Sequence, residues 1–230
     1  MSVTIKQNLV SSNKYSIKCP YSMTPKYITV HNTANDASAG NEISYMINND
    51  QQVSFHFAVD DKEAVQGLPL NRNGWHAGDG ANGTGNRQSI GVEICYSKSG
   101  GTRFTNAEQN AAWLVAKLMK DHNIPISNLR THKDWNGKNC PERTLNMGWS
   151  RFLSMVQKEL NGGGNATQYF PIPNYTGNSL VDALNSINVD SSFNNRARIA
   201  EVNGISNYTG TAAQNTQMLN LLKQGKLIKP

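Results

Sequence analysis

Five side chains have the types and surroundings that hydrolytic chemistry needs: His31, Glu93, His132, Lys138 and Cys140. Two imidazoles and a thiolate are donors that Zn2+ accepts, and three protein ligands leave one tetrahedral position for water, whereas structural sites close with four. Neutral histidines and one thiolate also leave the ion enough charge to acidify that water. In SIGVEICY, strand alternation puts Val92 and Ile94 on one face and Glu93 with Cys95 on the other. A carboxylate inside such an apolar run must be paired, solvated in a cleft or protonated, and beside a metal it suits a general base. Lys138 shares a loop with Asn136, Gly137 and Cys140, where an ammonium can meet a developing oxyanion. Three of them also have a plain alternative: the thiol as a small buried hydrophobe, Glu93 in a core salt bridge, Lys138 as a solvated loop lysine.

The elements that must hold these groups are read from periodicity. YITVH (27–31), VSFHFAV (53–59) and SIGVEICY (89–96) are β-branched and aromatic runs of strand length, bounded by Asn, Asp and Gly. Residues 105–122 predict a helix, with Thr105 and Glu108 as a capping-box pair, apolar residues at i, i+3, i+4, and Asn123 and Pro125 as its stop. Further helices are expected at 41–48 and 147–160, which gives an α/β domain, a central mixed sheet flanked by helices, over residues 1–160. NGGGNATQ (161–168) reads as a Gly-rich linker. Beyond it, residues 169–230 contain no Trp, His or Cys and repeat I-x-N-Y-T-G at 172–177 and 205–210, each before a helical run. Two copies are too few for a solenoid, so a small, mainly helical module is expected, with Thr211 and Gln214 capping its last helix.

Composition narrows the class. With 37% hydrophobic and 17% charged residues among 230, the chain should fold in water, and no apolar run reaches the roughly 18–20 residues that span a bilayer. No membrane insertion and no signal peptide are expected. Three cysteines are not a disulfide framework, and Cys19 and Cys95 are read as buried free thiols. The net charge of +6 is spread along the chain without a basic cluster, so nucleic acid is not expected as a partner. A Mg2+-dependent nuclease would also need an Asp/Glu-rich site that is not evident.

The blocks YITVHNT, SFHFAVDD, NGWHAGDG, NRQSIGVEICYS and THKDWNGKNCP, in this order, resemble the zinc-dependent N-acetylmuramoyl-L-alanine amidases of the amidase-2, or peptidoglycan-recognition-protein, type. The resemblance implies His31, His132 and Cys140 as zinc ligands, Glu93 as base and Lys138 as the lysine that accompanies the cysteine. It also implies that Trp75, His76 and Asp79 of GWHAGDG wall a substrate groove, against the plain alternative of core packing for Trp75. His56 is read as a structural residue or a support for a ligand rather than as a ligand itself. Where some members carry Tyr, this chain has Phe55, so no phenol assists and proton transfer falls to Glu93. The implied reaction cuts the amide between N-acetylmuramic acid and the L-alanine of the stem peptide. Relatives lacking the cysteine only bind peptidoglycan, and that is the alternative. Residues 169–230 resemble wall-binding modules of endolysins from phages or prophages of Gram-positive hosts, in which Tyr175 and Tyr208 either stack on glycan or anchor the core. The expected partners are peptidoglycan, an associated wall polymer and a separate pore-forming lysis protein, with the enzyme in the host cytoplasm until lysis and at the cell wall afterwards.

Overall fold

The computed structural model describes residues 3–162 and 169–230. The chain forms two compact units, Met1–Gly163 and Gly164–Pro230. Of the stretch 161–168 read as a linker, only Asn161 and Gly162 fall among the described residues.

In the first unit the elements run β1 (Thr4–Gln7), α1 (Tyr15–Lys18), β2 (Tyr27–Asn32), α2 (Ala39–Asn48), β3 (Phe57–Val59), β4 (Glu63–Gln66), α3 (Thr84–Gln88), β5 (Ser89–Ile94), α4 (Gly101–His122), β6 (Leu129–Thr131), α5 (Lys133–Asn136), α6 (Glu142–Asn146) and α7 (Trp149–Leu160). The strands make one mixed sheet in the order β1-β4-β3-β5-β2-β6, flanked by helices, and only β3 and β4 pair antiparallel. Parallel strands covered on both faces read as nearly continuous apolar runs, which is why β2 and β5 stand out in the sequence.

Their alternation splits the sheet chemically. Ile28, Val30, Ile90, Val92 and Ile94 are fully buried in the main core with Leu114 and Val115 of α4. The intervening residues Thr29, His31, Ser89, Gly91 and Glu93 point to the opposite face. Helix α4 begins at Gly101 rather than at the expected cap: the Thr105 hydroxyl donates to the Thr102 carbonyl. Glu108 is drawn inward instead, where it accepts from Arg151 Nη2 of α7 at 2.6 Å with its side chain 1% exposed. The run expected as a strand over 53–59 narrows to β3, and ahead of it the Ser54 hydroxyl donates to the Lys18 carbonyl and His56 Nε2 lies 3.0 Å from the Arg72 carbonyl.

The second unit holds α8 (Leu180–Asn185), α9 (Phe193–Val202) and α10 (Ala212–Lys223) around Leu184, Ile199, Met218, Leu222 and Leu227. Thr211 and Gln214 form the capping box at α10. The two repeat tyrosines are set alike. The Tyr175 hydroxyl accepts from the Ser179 backbone at 3.3 Å, and the Tyr208 hydroxyl donates to Asn215 Oδ1 at 2.6 Å, so each ties its loop to a following helix. No helix among the described residues is long and apolar enough to cross a membrane.

Candidate active site

The site grows from the register of β2 on β5. His31 pairs with Glu93, Thr29 with Gly91 and Tyr27 with Ser89, so the imidazole and the carboxylate leave adjacent strands side by side on the same face. His132 arrives just after β6, on the other side of β2. Its segment is fixed by a reciprocal pair in which Asp134 Oδ2 accepts from the Thr131 N–H at 2.7 Å and the Asp134 N–H donates to Thr131 Oγ1 at 3.2 Å. Trp135 holds the same segment down by donating its indole N–H to Thr29 Oγ1 at 2.9 Å. The chain then turns at Gly137 with φ +82°, and the Cys140 carbonyl accepts from the Lys133 N–H at 3.1 Å, which brings the thiol back over the strands.

Three segments thereby deliver His31, His132 and Cys140 to one spot, all buried, with their donor atoms within 4.8 Å of one another. His31 Nδ1 lies 3.1 Å from His132 Nδ1 and 3.7 Å from Cys140 Sγ. Tetrahedral zinc with ordinary bond lengths sets N···N at about 3.3 Å and N···S at about 3.6 Å, so the cluster has the size and the donor chemistry for that ion.

Electrostatics agree with a cation site. Burial, then the neighbouring His76, His132 and Lys138, push His31 well below the usual imidazole range. Burial takes His132 down to about 4, and Lys138 adds to it. Both rings are therefore neutral donors near pH 7. The Cys140 thiol goes the other way, up to about 11, through burial and the Glu93 charge, so without a cation it keeps its proton. Glu93 is raised to about 8 by burial and by Glu42, with Lys138 pulling against them, and its buried Oε2 has no hydrogen-bond partner. A divalent ion beside these groups would favour thiolate and carboxylate together.

Lys138 is exposed, and its backbone N–H donates to Asn136 Oδ1 at 2.9 Å. The three loop residues read as groove wall have other engagements. Trp75 donates its indole N–H to the Ile17 carbonyl at 3.0 Å and meets Tyr21 edge to face. Asp79 accepts from the Gly85 and Asn86 backbones at 2.6 and 3.1 Å. His76 is buried with both ring nitrogens occupied: Nδ1 lies 3.1 Å from His31 Nε2, and Nε2 lies 3.1 Å from the Ser89 carbonyl. His56 is fully buried, its Nε2 3.0 Å from the Arg72 carbonyl while its Nδ1 accepts from the Gly91 N–H at 3.0 Å. Sequence reasoning missed Ser89, Gly91 and Asn86, which shape the surroundings of the cluster. The signal for one of them was a lone glycine inside a strand, which marks a close approach.

A buried His-His-Cys cluster beside a carboxylate, on a mixed sheet flanked by helices, is a scaffold for metal-assisted hydrolysis. The amidase-2 profile, N-acetylmuramoyl-L-alanine amidase, matches residues 21–143, and the chain belongs to that family. It is 60% identical over 167 residues to the N-acetylmuramoyl-L-alanine amidase XlyB of Bacillus subtilis (strain 168), covering 72% of this chain and 53% of XlyB. The chain thus spans about half the length of that relative. It is 31% identical over 233 residues to the endolysin of Listeria phage A511, covering 86% of this chain and 67% of the endolysin, a match long enough to run into the second unit. The solved structure of PlyL superposes with a TM-score of 0.65 at 58% identity, covering 68% of this chain and 97% of PlyL.

Proposed function

We propose that this chain is a zinc-dependent N-acetylmuramoyl-L-alanine amidase of the endolysin kind, which cuts the amide between N-acetylmuramic acid and the L-alanine of the stem peptide. The observation that carries the reading is the convergence of His31, His132 and Cys140 within 4.8 Å, beside Glu93 in register with His31. Those three residues would hold the zinc, which when bound supplies a Lewis acid to polarise the scissile carbonyl and acidify water. Glu93 takes the proton of the attacking water and returns it to the leaving amine. Its buried, unpartnered Oε2 is an acceptor with no competing donor. Lys138, exposed at the rim, offers its ammonium to the oxyanion that forms on the carbonyl. Trp135 and Asp134 keep the ligand-bearing segment in place while this happens.

Cys140 favours catalysis over mere peptidoglycan binding, since a binding protein has no use for a third metal donor. Residues 1–160 would act as the catalytic domain and residues 169–230 as the module that reads the wall polymer. In that module the tyrosine hydroxyls serve as internal ties, and the ring faces of Tyr175 and Tyr208 are candidates for stacking on glycan. Access to the wall from the host cytoplasm would depend on a separate pore-forming lysis protein. Mass spectrometry of digested walls tests the reaction. Stem peptides released with a free N-terminal L-alanine are expected, they should disappear after zinc chelation and return with added zinc, and cleavage at any other bond would refute the reading.

A further inference from the structure

We propose that His76 is a positioning residue that fixes the tautomer of His31, so that Nδ1 of His31 presents a bare lone pair to the metal position. The Ser89 carbonyl can only accept, so the His76 nitrogen 3.1 Å from it, Nε2, carries the proton. In a neutral ring Nδ1 is then an acceptor, and its hydrogen-bond neighbour among the described residues is His31 Nε2 at 3.1 Å, which must donate. With its proton on Nε2, His31 has a bare Nδ1, the atom that faces His132 Nδ1 and Cys140 Sγ. Metal-bound histidines generally donate their other ring N–H to an acceptor that sets their orientation; here that acceptor is a second imidazole anchored on backbone.

The surroundings of His76 are shaped for this task. A side chain at Gly91 would meet the His76 ring at 2.8 Å and one at Gly74 would meet it at 3.0 Å, so two glycines open the slot in which the ring lies. Asn86 Oδ1 accepts from the backbone N–H groups of His76 and Ala77 at 2.9 and 2.8 Å. Asp79 in turn accepts from the Asn86 and Gly85 backbones. The loop read from sequence as a substrate wall is thus cross-braced around a ring that reaches a metal ligand. The consequence for metal affinity rests on the zinc reading given above; the tautomer itself does not.

The test is made first on the full chain stripped of metal. Long-range nitrogen–proton NMR of the histidine rings should show His31 protonated on Nε2 and bare on Nδ1, and His76 protonated on Nε2. A proton on His31 Nδ1 in this wild-type spectrum overturns the proposal whatever the protein does with zinc or walls. In His76→Leu, His31 should become a mixture of tautomers and the zinc dissociation constant, read by competition with a chromogenic chelator, should rise about 10–100-fold. His76→Asn, whose Oδ1 can stand in for Nδ1, should restore most of both. KM for wall fragments should hardly move in either variant, whereas a groove-wall role would raise it. Unchanged His31 tautomer and zinc affinity in His76→Leu would also overturn the proposal, and if that variant does not fold, the wild-type spectrum decides alone.

Discussion

The two faces of β2 and β5 are made by alternate residues of the same two strands, yet they follow opposite rules. On one face Ile28, Val30, Ile90, Val92 and Ile94 are fully buried and need nothing but complementary shape. On the other, His31, Ser89 and Thr29 are buried just as deeply, and their polar atoms have to be matched one by one: Thr29 Oγ1 to Ser89 Oγ at 2.5 Å, His31 Nε2 to His76 Nδ1. Among the described residues of this face, matching fails at the carboxylate, where Glu93 Oε2 has no partner. Stability is therefore concentrated on the first face and, under the proposed function, chemistry on the second, where Glu93 is one of six side chains among the described residues with an unpartnered buried polar atom.

Glu93→Gln should produce the largest effect and confine it to one face. Wall hydrolysis should fall by about 10²–10⁴-fold, the usual contribution of a positioned general base, while zinc content stays at the wild-type level. Metal analysis together with single-turnover digestion checks both, and wild-type turnover in the variant would remove the assigned base. Ile90→Ala probes the face behind it. Truncating a fully buried isoleucine there should lower unfolding free energy by about 2–5 kcal/mol in urea titrations, with zinc binding kept in the folded fraction. Equal loss of stability in the two variants would erase the distinction between the faces.

Acid and base should pull the site face in opposite directions, with no contribution from the apolar one. The folded chain holds the Glu93 proton to about pH 8, whereas an unfolded chain releases it near 4.5, so the folded state binds more protons in that window and stability falls as pH rises through it. For His132 and His56, lowered to about 4, and His76, lowered to about 3, from 6.5, the unfolded state binds more protons, and stability falls as pH drops from 6.5 towards those values. Metal-free protein should consequently be most stable at intermediate pH. In metal-free Glu93→Gln the loss between about pH 6.5 and 8 should flatten, and the loss below 6.5 should steepen because Glu93 no longer offsets the histidines there, which urea midpoints measured from about pH 5 to pH 8 will show.

What could be read from the sequence follows the same division. Strands β2 and β5 were legible because burial on both sides leaves long apolar runs, in β5 with one misplaced carboxylate; β1 and β4, TIKQ and EAVQ, are short and at least half polar and carry no such signature. The donor residues of the cluster were visible through their types and through resemblance. The part played by His76 was not, because it depends on His31, the 74–86 loop and the Ser89 carbonyl meeting in space, and no local period records that meeting. Trp75 and Asp79 show the converse: their motif is conspicuous, but their polar groups are engaged with the backbones of Ile17, Gly85 and Asn86.

The start of α4 shows how burial overrides a local signal, and it yields the smallest predicted effect. Thr105 and Glu108 have the spacing of a capping box, but such a box stabilises only if the helix begins there. The chain continues the helix back to Gly101, because Phe104 is 1% exposed and gains more from joining the core than the cap would return. Glu108, freed from capping, meets Arg151 beneath the surface and links α4 to α7. Thr105→Ala should therefore change stability by less than about 0.5 kcal/mol, as an exposed interior helix position does, where loss of a true cap typically costs about 1 kcal/mol. Ser38→Ala at α2, whose hydroxyl accepts from the Asn41 N–H at 3.3 Å, supplies the matched control and should show the larger loss.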